Sequence, residues 1–226
     1  MFKAIIDLFF PKVCYACHKV LNDYEEDLCT NCRNELPVTN FHFHKDNNVS
    51  KVFYARVKVE YGTALFRFEK KGLVQQLIHN LKYKGQESIG VFLGDWLGGE
   101  LKTLKEYSEI DMVIPVPLHK NKLKKRGYNQ VAKFAQHIAT ALNAQYVDNV
   151  LLKVTNTQSQ VLKNRFARWT NNEELFTLQN TSAIANKHIL LVDDLITTGA
   201  TMEACINVLN QAENVKISVA SMAIAQ

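Results

Sequence analysis

Four of the five cysteines fall within the first 32 residues, as Cys14-x-x-Cys17 and Cys29-x-x-Cys32, with eleven residues between the pairs. A C-x-x-C turn brings two thiolates to one side of a tight knuckle. Two knuckles complete a tetrahedral site whose softness and geometry suit zinc. The gap is short for this pattern but long enough for a hairpin to cross. The competing chemistries are a redox dithiol and structural disulfides. Two pairs so close together favour metal over a dithiol, and nothing marks the chain as secreted, which disfavours disulfides. A filled four-cysteine site has no open position, so the expected zinc is structural. His18 reads as an exposed knuckle residue, and His42 and His44 lie outside the ligand spacing. Cys205 recurs with Met202, Ile206 and Leu209 at helical spacing and reads as core.

A second run carries a different chemistry. In ILLVDDLITTGAT, residues 189–201, an apolar strand ends in Asp193 and Asp194, and a short loop from Leu195 to Ala200 leads into a helix near Thr201. Ligands of open α/β sheets bind at the carboxyl ends of the strands, where these residues fall. Thr197, Thr198 and Thr201 offer hydroxyl donors, Gly199 allows close backbone approach, and the helix start supplies free N–H groups with the dipole behind them. That is a cradle for phosphate. The two acids repel a phosphate directly but suit the hydroxyls of an attached sugar, with help to a magnesium ion.

Cations for an anionic ligand stand in two places. Lys82 and Lys84 lie in KYKG at a helix end, where simple helix capping is the competing role. The strip LHKNKLKKRGYNQ holds Lys120, Lys122, Lys124, Lys125 and Arg126, and its lysines also read as a solvated charge run. Arg126 and Gly127 are the stronger candidates because they directly precede a helix start at Tyr128-Asn129-Gln130.

Positioning these groups requires a scaffold. The polar stretch HKDNNVSK, 44–51, has the character of a linker, which puts a boundary near residue 50. Beyond it, 52–60 alternates as a strand, and Leu73, Leu77, Ile78 and Leu81 mark a helix over 72–83. A second helix is expected over 91–104, a short buried strand over 112–117, and an amphipathic helix carrying Val131, Phe134, Ala135, Ile138 and Leu142. Strands are expected at 147–154, 188–192 and 215–224, with a helix over 201–212 between the last two. The stretch 155–174 is polar and weakly periodic. Alternating strands and helices, one strand continuously apolar, predict an α/β fold with a mostly parallel sheet covered on both faces.

Composition agrees with a globular chain: 226 residues, 47% hydrophobic, 22% charged, with 9 Gly and 4 Pro, which argues against disorder and fibrous repeats. The formal charge of +5 fits an anionic ligand or a weak nucleic-acid surface and discriminates neither. The start MFKAIIDLFF is interrupted by Asp7 and is not followed by a small-residue cleavage site, and no run of roughly 18 apolar residues exists. A cytoplasmic location is therefore expected, with the N-terminal apolar segment packing on the protein's own body.

The run 189–201 closely resembles the phosphoribosyl pyrophosphate motif of type I phosphoribosyltransferases. FFPKVCYAC and LCTNCRNELP are similar to the N-terminal zinc ribbon of the competence-associated ComF/GntX-like proteins. LIHNLKYKG, IPVPLHKNKLKKRGYNQ and Arg168-x-x-Asn171 followed by Phe176 fit the same family. The resemblance implies a zinc ribbon over 1–50 and a type I phosphoribosyltransferase-like domain over 51–226. It implies that Asp193 and Asp194 hold the ribose hydroxyls. Ile196, Thr197, Thr198, Gly199, Ala200 and Thr201 would hold the 5′-phosphate, and Lys82, Arg126 and Arg168 would serve the donor. It implies 5-phosphoribosyl-1-pyrophosphate (PRPP) as ligand, with Mg²⁺, and a flexible loop over 155–171 containing Gln158, Arg165 and Arg168. The chain begins Met1-Phe2, so the N-terminal cysteine nucleophile and glutaminase domain of the amidotransferase relatives are not expected. It also has no recognisable base-recognition hood, unless the ribbon takes that place. The acceptor is not identified, so two functions stand side by side. One is a pentosyl-group transferase. The other is a non-catalytic PRPP sensor or single-stranded-DNA-binding accessory of natural transformation that engages competence proteins.

Overall fold

The computed structural model describes residues 11–154 and 175–225. Seven strands and seven α-helices are assigned among them. The strands are β1 (Gly62–Phe68), β2 (Met112–Pro115), β3 (Gln145–Tyr146), β4 (Leu151–Val154), β5 (Leu175–Leu178), β6 (His188–Ile196) and β7 (Lys216–Ala225). The helices are α1 (Thr30–Glu35), α2 (Asn48–Phe53), α3 (Leu73–Tyr83), α4 (Ser88–Leu101), α5 (Lys120–Arg126), α6 (Ala132–Leu142) and α7 (Ala200–Leu209).

Five strands form one sheet in the order β1-β7-β6-β2-β3, and every pair in it is parallel. β4 and β5 pair antiparallel as a separate ribbon. Alternate side chains of a strand face opposite sides of its sheet, and β6 shows the consequence. Leu190 and Val192 enter one core with Leu77, Leu81, Leu93, Leu97, Phe134 and Ile138, while Ile189 and Leu191 enter the other with Met202, Cys205, Ile206 and Leu209. Helices α3, α4 and α6 thus cover one face, and α7 covers the other. Burial on both faces is why β6 reads as a continuous apolar run, and it confirms Cys205 as core, fully buried.

α4 and α6 meet through a row of glycines. A Cβ on Gly94 would stand 2.7 Å from the Phe134 carbonyl oxygen, and one on Gly98 would stand 2.8 Å from the Ala141 Cβ. The close approach of the two helices needs bare backbone at these turns.

Two sequence expectations fail here. The alternation in 52–60 does not form a strand. Val49 and Phe53, four residues apart, are buried as the apolar stripe of α2, and the strand on this side of the sheet is β1 at 62–68. The polar stretch 44–51 is not a linker. Asn47 caps α2 through its side chain, accepting from the Val49 and Ser50 N–H groups, while Ser50 completes a capping box. Asn47 also donates to the carbonyls of Phe41, His44 and Gly62, so it is a buried junction.

Candidate functional site

β6 lies between β7 and β2, inside the sheet, and carries Asp193 and Asp194 at its carboxyl end. The strand runs on to Ile196, whose side chain is buried. Thr197 and Thr198 are exposed, and Gly199 caps α7 in the left-handed region at φ 76°. Asp193 and Thr201 are half-buried beside them. Hydroxyls at 197, 198 and 201, a left-handed glycine and the N-terminus of a ten-residue helix thus stand together at the end of β6.

The two acids sit differently. Asp194 is only 5% exposed, and both of its carboxylate oxygens are engaged. Oδ1 accepts from Lys82 Nζ at 2.5 Å, and Oδ2 accepts from Gln130 Nε2 at 2.5 Å. Gln130 in turn accepts through Oε1 from Arg126 Nη1. Burying a carboxylate is tolerated because a cation and an amide both answer it. Three segments distant in sequence thus meet at one carboxyl: the last turn of α3, the corner between α5 and α6, and the end of β6. Local contacts fix that corner. Gly127 ends α5 at φ 86°, Asn129 donates to the Val116 carbonyl at 3.0 Å, and Tyr128 Oη donates to the Leu81 carbonyl. The Arg126 guanidinium also lies 5.6 Å over the Tyr83 ring.

Lys82 and Arg126 are thus both tied to Asp194, Lys82 directly and Arg126 through Gln130, next to Asp193 at the end of β6. The basic strip is helical over Lys120–Arg126, none of whose residues is buried, and α6 begins at Ala132, a few residues later than expected. Arg168, Gln158 and Arg165, with the loop expected to close the site, lie outside the described residues.

One contributor was missed. Arg56 reaches the loop between β6 and α7 from the segment after α2. Its Nη1 donates to the Thr198 carbonyl at 2.6 Å and to the Val52 carbonyl at 3.1 Å, and its Nη2 pairs with Glu203 of α7. No motif flags it, because its partners lie 142 and 147 residues away.

The cysteines gather as expected. The four Sγ atoms of Cys14, Cys17, Cys29 and Cys32 lie within 4.8 Å of one another, and Cys17 and Cys29 are 3.8 Å apart. Four thiolates at about 2.3 Å from a tetrahedral zinc have edges of about 3.8 Å, so the donor set fits a structural zinc. Burial works against ionising Cys14, but hydrogen bonds with the backbone of Cys17, Cys29 and Ala16 outweigh it and bring the thiol down to about 7. Cys32 goes the other way, pushed up by burial and by the neighbouring thiols.

The ribbon is docked on the sheet domain. Cys14, Leu28 and Cys32 share a core with Leu77 and Leu81. Asn80 donates to the Tyr15 carbonyl at 2.7 Å, Ser88 donates to Asp27 at 2.8 Å, and the Arg33 guanidinium lies 5.5 Å over both Phe92 and Trp96. Asn80 is two residues from Lys82, so the metal module and the carboxylate hub share helix α3.

Residues 131–225 match the family model described as "Phosphoribosyl transferase domain", and residues 5–42 match "Double zinc ribbon domain". With five cysteines in the whole chain, only one tetrathiolate site can form. Competence protein F of Haemophilus influenzae is 24% identical over 86% of this chain and 89% of its own length. Competence protein ComFC of Bacillus subtilis is 25% identical over 84% of this chain and 75% of its own. DNA utilization protein YhgH of Escherichia coli is 26% identical over 56% of each, so the match spans about half of that relative.

Proposed function

We infer that the chain is a ComF-like protein, because it pairs a match to a phosphoribosyl transferase domain with a match to a zinc ribbon and is similar to competence protein F and ComFC over most of its length. From that premise we propose that it binds PRPP with Mg²⁺ and transfers the phosphoribosyl group to an acceptor, in a role tied to DNA uptake. The observation that carries this reading is the passage from β6 to α7. Two acids at a strand end are followed at once by a hydroxyl-rich loop with a left-handed glycine and a helix N-terminus. Asp193, half-buried, would accept hydrogen bonds from the ribose hydroxyls, and residues 197–201 would receive the 5′-phosphate.

In transfer, an acceptor lone pair forms a bond to the anomeric carbon as the bond to pyrophosphate oxygen breaks. The leaving pyrophosphate takes the electron pair, and positive charge builds on the ring oxygen. Asp194 cannot supply a bare carboxylate to a metal, since Lys82 already stands 2.5 Å from it. Mg²⁺, which binds through substrate phosphates and few carboxylates, would come with the pyrophosphate. Lys82 and Arg126, tied to one hub, would flank that group. The cytoplasm is the expected setting; among the described residues no helix is long and apolar enough to cross a membrane.

A specific observation favours a second reading, non-catalytic binding of single-stranded DNA. α5 presents Lys120, Lys122, Lys124 and Lys125 with no buried residue, next to Tyr83, which is 67% exposed, and Leu123. An exposed ring in a basic field is the stacking element such binding uses. Calorimetric titration of PRPP with Mg²⁺ tests the first reading. Steep salt dependence of oligonucleotide binding, lost on replacing Tyr83, tests the second.

A further inference from the structure

We infer that Arg56 is a positioning residue of the phosphate loop, holding it in the shape that receives an anion. The inference rests on the reading of 197–201 as a phosphate cradle. One guanidinium ties three pieces together: the end of α2 through the Val52 carbonyl, the loop through the Thr198 carbonyl, and the first turn of α7 through Glu203.

The contact with Thr198 sets an orientation. Across a planar trans peptide the carbonyl and the following N–H point in opposite directions. Drawing the Thr198 carbonyl onto Arg56 at 2.6 Å turns the Gly199 N–H away from Arg56 and so leaves it open to an anion. The left-handed glycine that follows is packed as tightly as it is oriented, since a Cβ there would stand 2.5 Å from Val52 Cγ1. Val52 is thus both a carbonyl partner of Arg56 and a wall behind Gly199.

The contact with Glu203 sets a charge. A carboxylate in the first turn of α7 is favourable to the helix but repels any anion bound at the same N-terminus. Pairing Glu203 with Arg56 cancels that field where the phosphate would sit. Glu203 is 27% exposed in its side chain, so the screening by water is incomplete and the pairing matters.

Two measurements on the full-length, zinc-loaded protein test the clamp. The first is amide hydrogen exchange at residues 198–203 without ligand, comparing wild type with Arg56→Ala. The second is calorimetry of ribose 5-phosphate and of pyrophosphate on wild type, Arg56→Ala, Arg56→Lys and Arg56→Ala/Glu203→Gln. Faster loop exchange is expected in Arg56→Ala, with ribose 5-phosphate weakened about tenfold or more and pyrophosphate unchanged. Lysine should restore little, since it cannot fork to two partners. The double variant should recover part of the loss, because the repelling carboxylate is gone. Unchanged exchange would overturn the clamp. So would equal loss of both ligands, which marks general damage. Wild type that binds neither ligand would overturn the cradle reading, while the exchange comparison still decides the clamp.

Discussion

Lys82 and Asp194, 112 residues apart in sequence, form an ion pair of 2.5 Å in which the carboxylate is nearly buried. The pair joins the last turn of α3 to the end of β6, so the helix that carries the ribbon also carries the cation beside the site. Lys82→Met leaves that carboxylate uncompensated and should cost about 3 kcal/mol in urea unfolding. Lys82→Met/Asp194→Asn should recover most of it, because a neutral amide tolerates the site. Near-equal stabilities for wild type and Lys82→Met would show that the pair is not a structural tie.

Removing zinc should destabilise far more than the ribbon. Cys14 and Cys32 share a core with Leu77 and Leu81, and burial lost on one side is lost on the other. Chelation, or Cys32→Ser, is expected to lower stability by on the order of 5 kcal/mol, and Asn80 should lose its hold on Tyr15. Unfolding followed by circular dichroism checks this. Persistence of the full helical signal and midpoint after complete zinc removal would contradict it.

Two glycines of α4 should respond with opposite signs. Gly94→Ala places a Cβ 2.7 Å from the Phe134 carbonyl oxygen, a backbone atom that cannot swing aside, and should cost about 1–3 kcal/mol. Gly99→Ala meets nothing within 4 Å and should stabilise by up to about 1 kcal/mol through helix propensity. Denaturant titration of the two variants reads the difference directly.

Acid should destabilise the sheet through His188. The ring is buried, with Nε2 2.9 Å from Ser218 Oγ, and burial and then Lys216 hold its pKa below the ordinary 6.5. His42 is lowered as well, since burial outweighs the Glu100 carboxylate 3.2 Å away. A depressed folded pKa favours the neutral ring, so this stability is fully present above about 6.5 and is lost as pH falls through the folded value. The thermal midpoint should therefore drop on acidification below about 6.5, and His188→Gln should drop less steeply. Parallel profiles for the two proteins would remove His188 from the explanation.

What the sequence disclosed, and what it hid, follows from the range of each interaction. The run from Ile189 to Thr201 and the four cysteines are local, and their chemistry is complete within a few residues of chain. The α3 stripe of Leu73, Leu77, Ile78 and Leu81 is equally local and formed as expected. The segment 52–60 misled because Val57 and Val59 alternate as in a strand, whereas the buried pair Val49 and Phe53 repeats at four. Its neighbour β1 shows no period because Gly62–Phe66 is buried continuously, and only Arg67 is exposed. Arg56 was invisible for a different reason: it is defined by Thr198 and Glu203, contacts that exist only after the sheet has closed. Gln130 ends the basic motif in the sequence, but its place as the bridge between Arg126 and Asp194 exists only once three elements have met.

The central claim is that the end of β6 and the start of α7 form a PRPP site. Isothermal titration of the zinc-loaded protein with PRPP in the presence of Mg²⁺, alongside Asp193→Ala, tests it most directly. The expected result is saturable one-site binding to wild type, weakened about tenfold or more by a substitution that removes one half-buried carboxylate, with its hydrogen bond from the Asp194 N–H, and keeps the Asp194 carboxylate itself. Absence of binding to folded wild type, or equal binding by the variant, would contradict the account and leave DNA binding by the basic helix as the surviving reading.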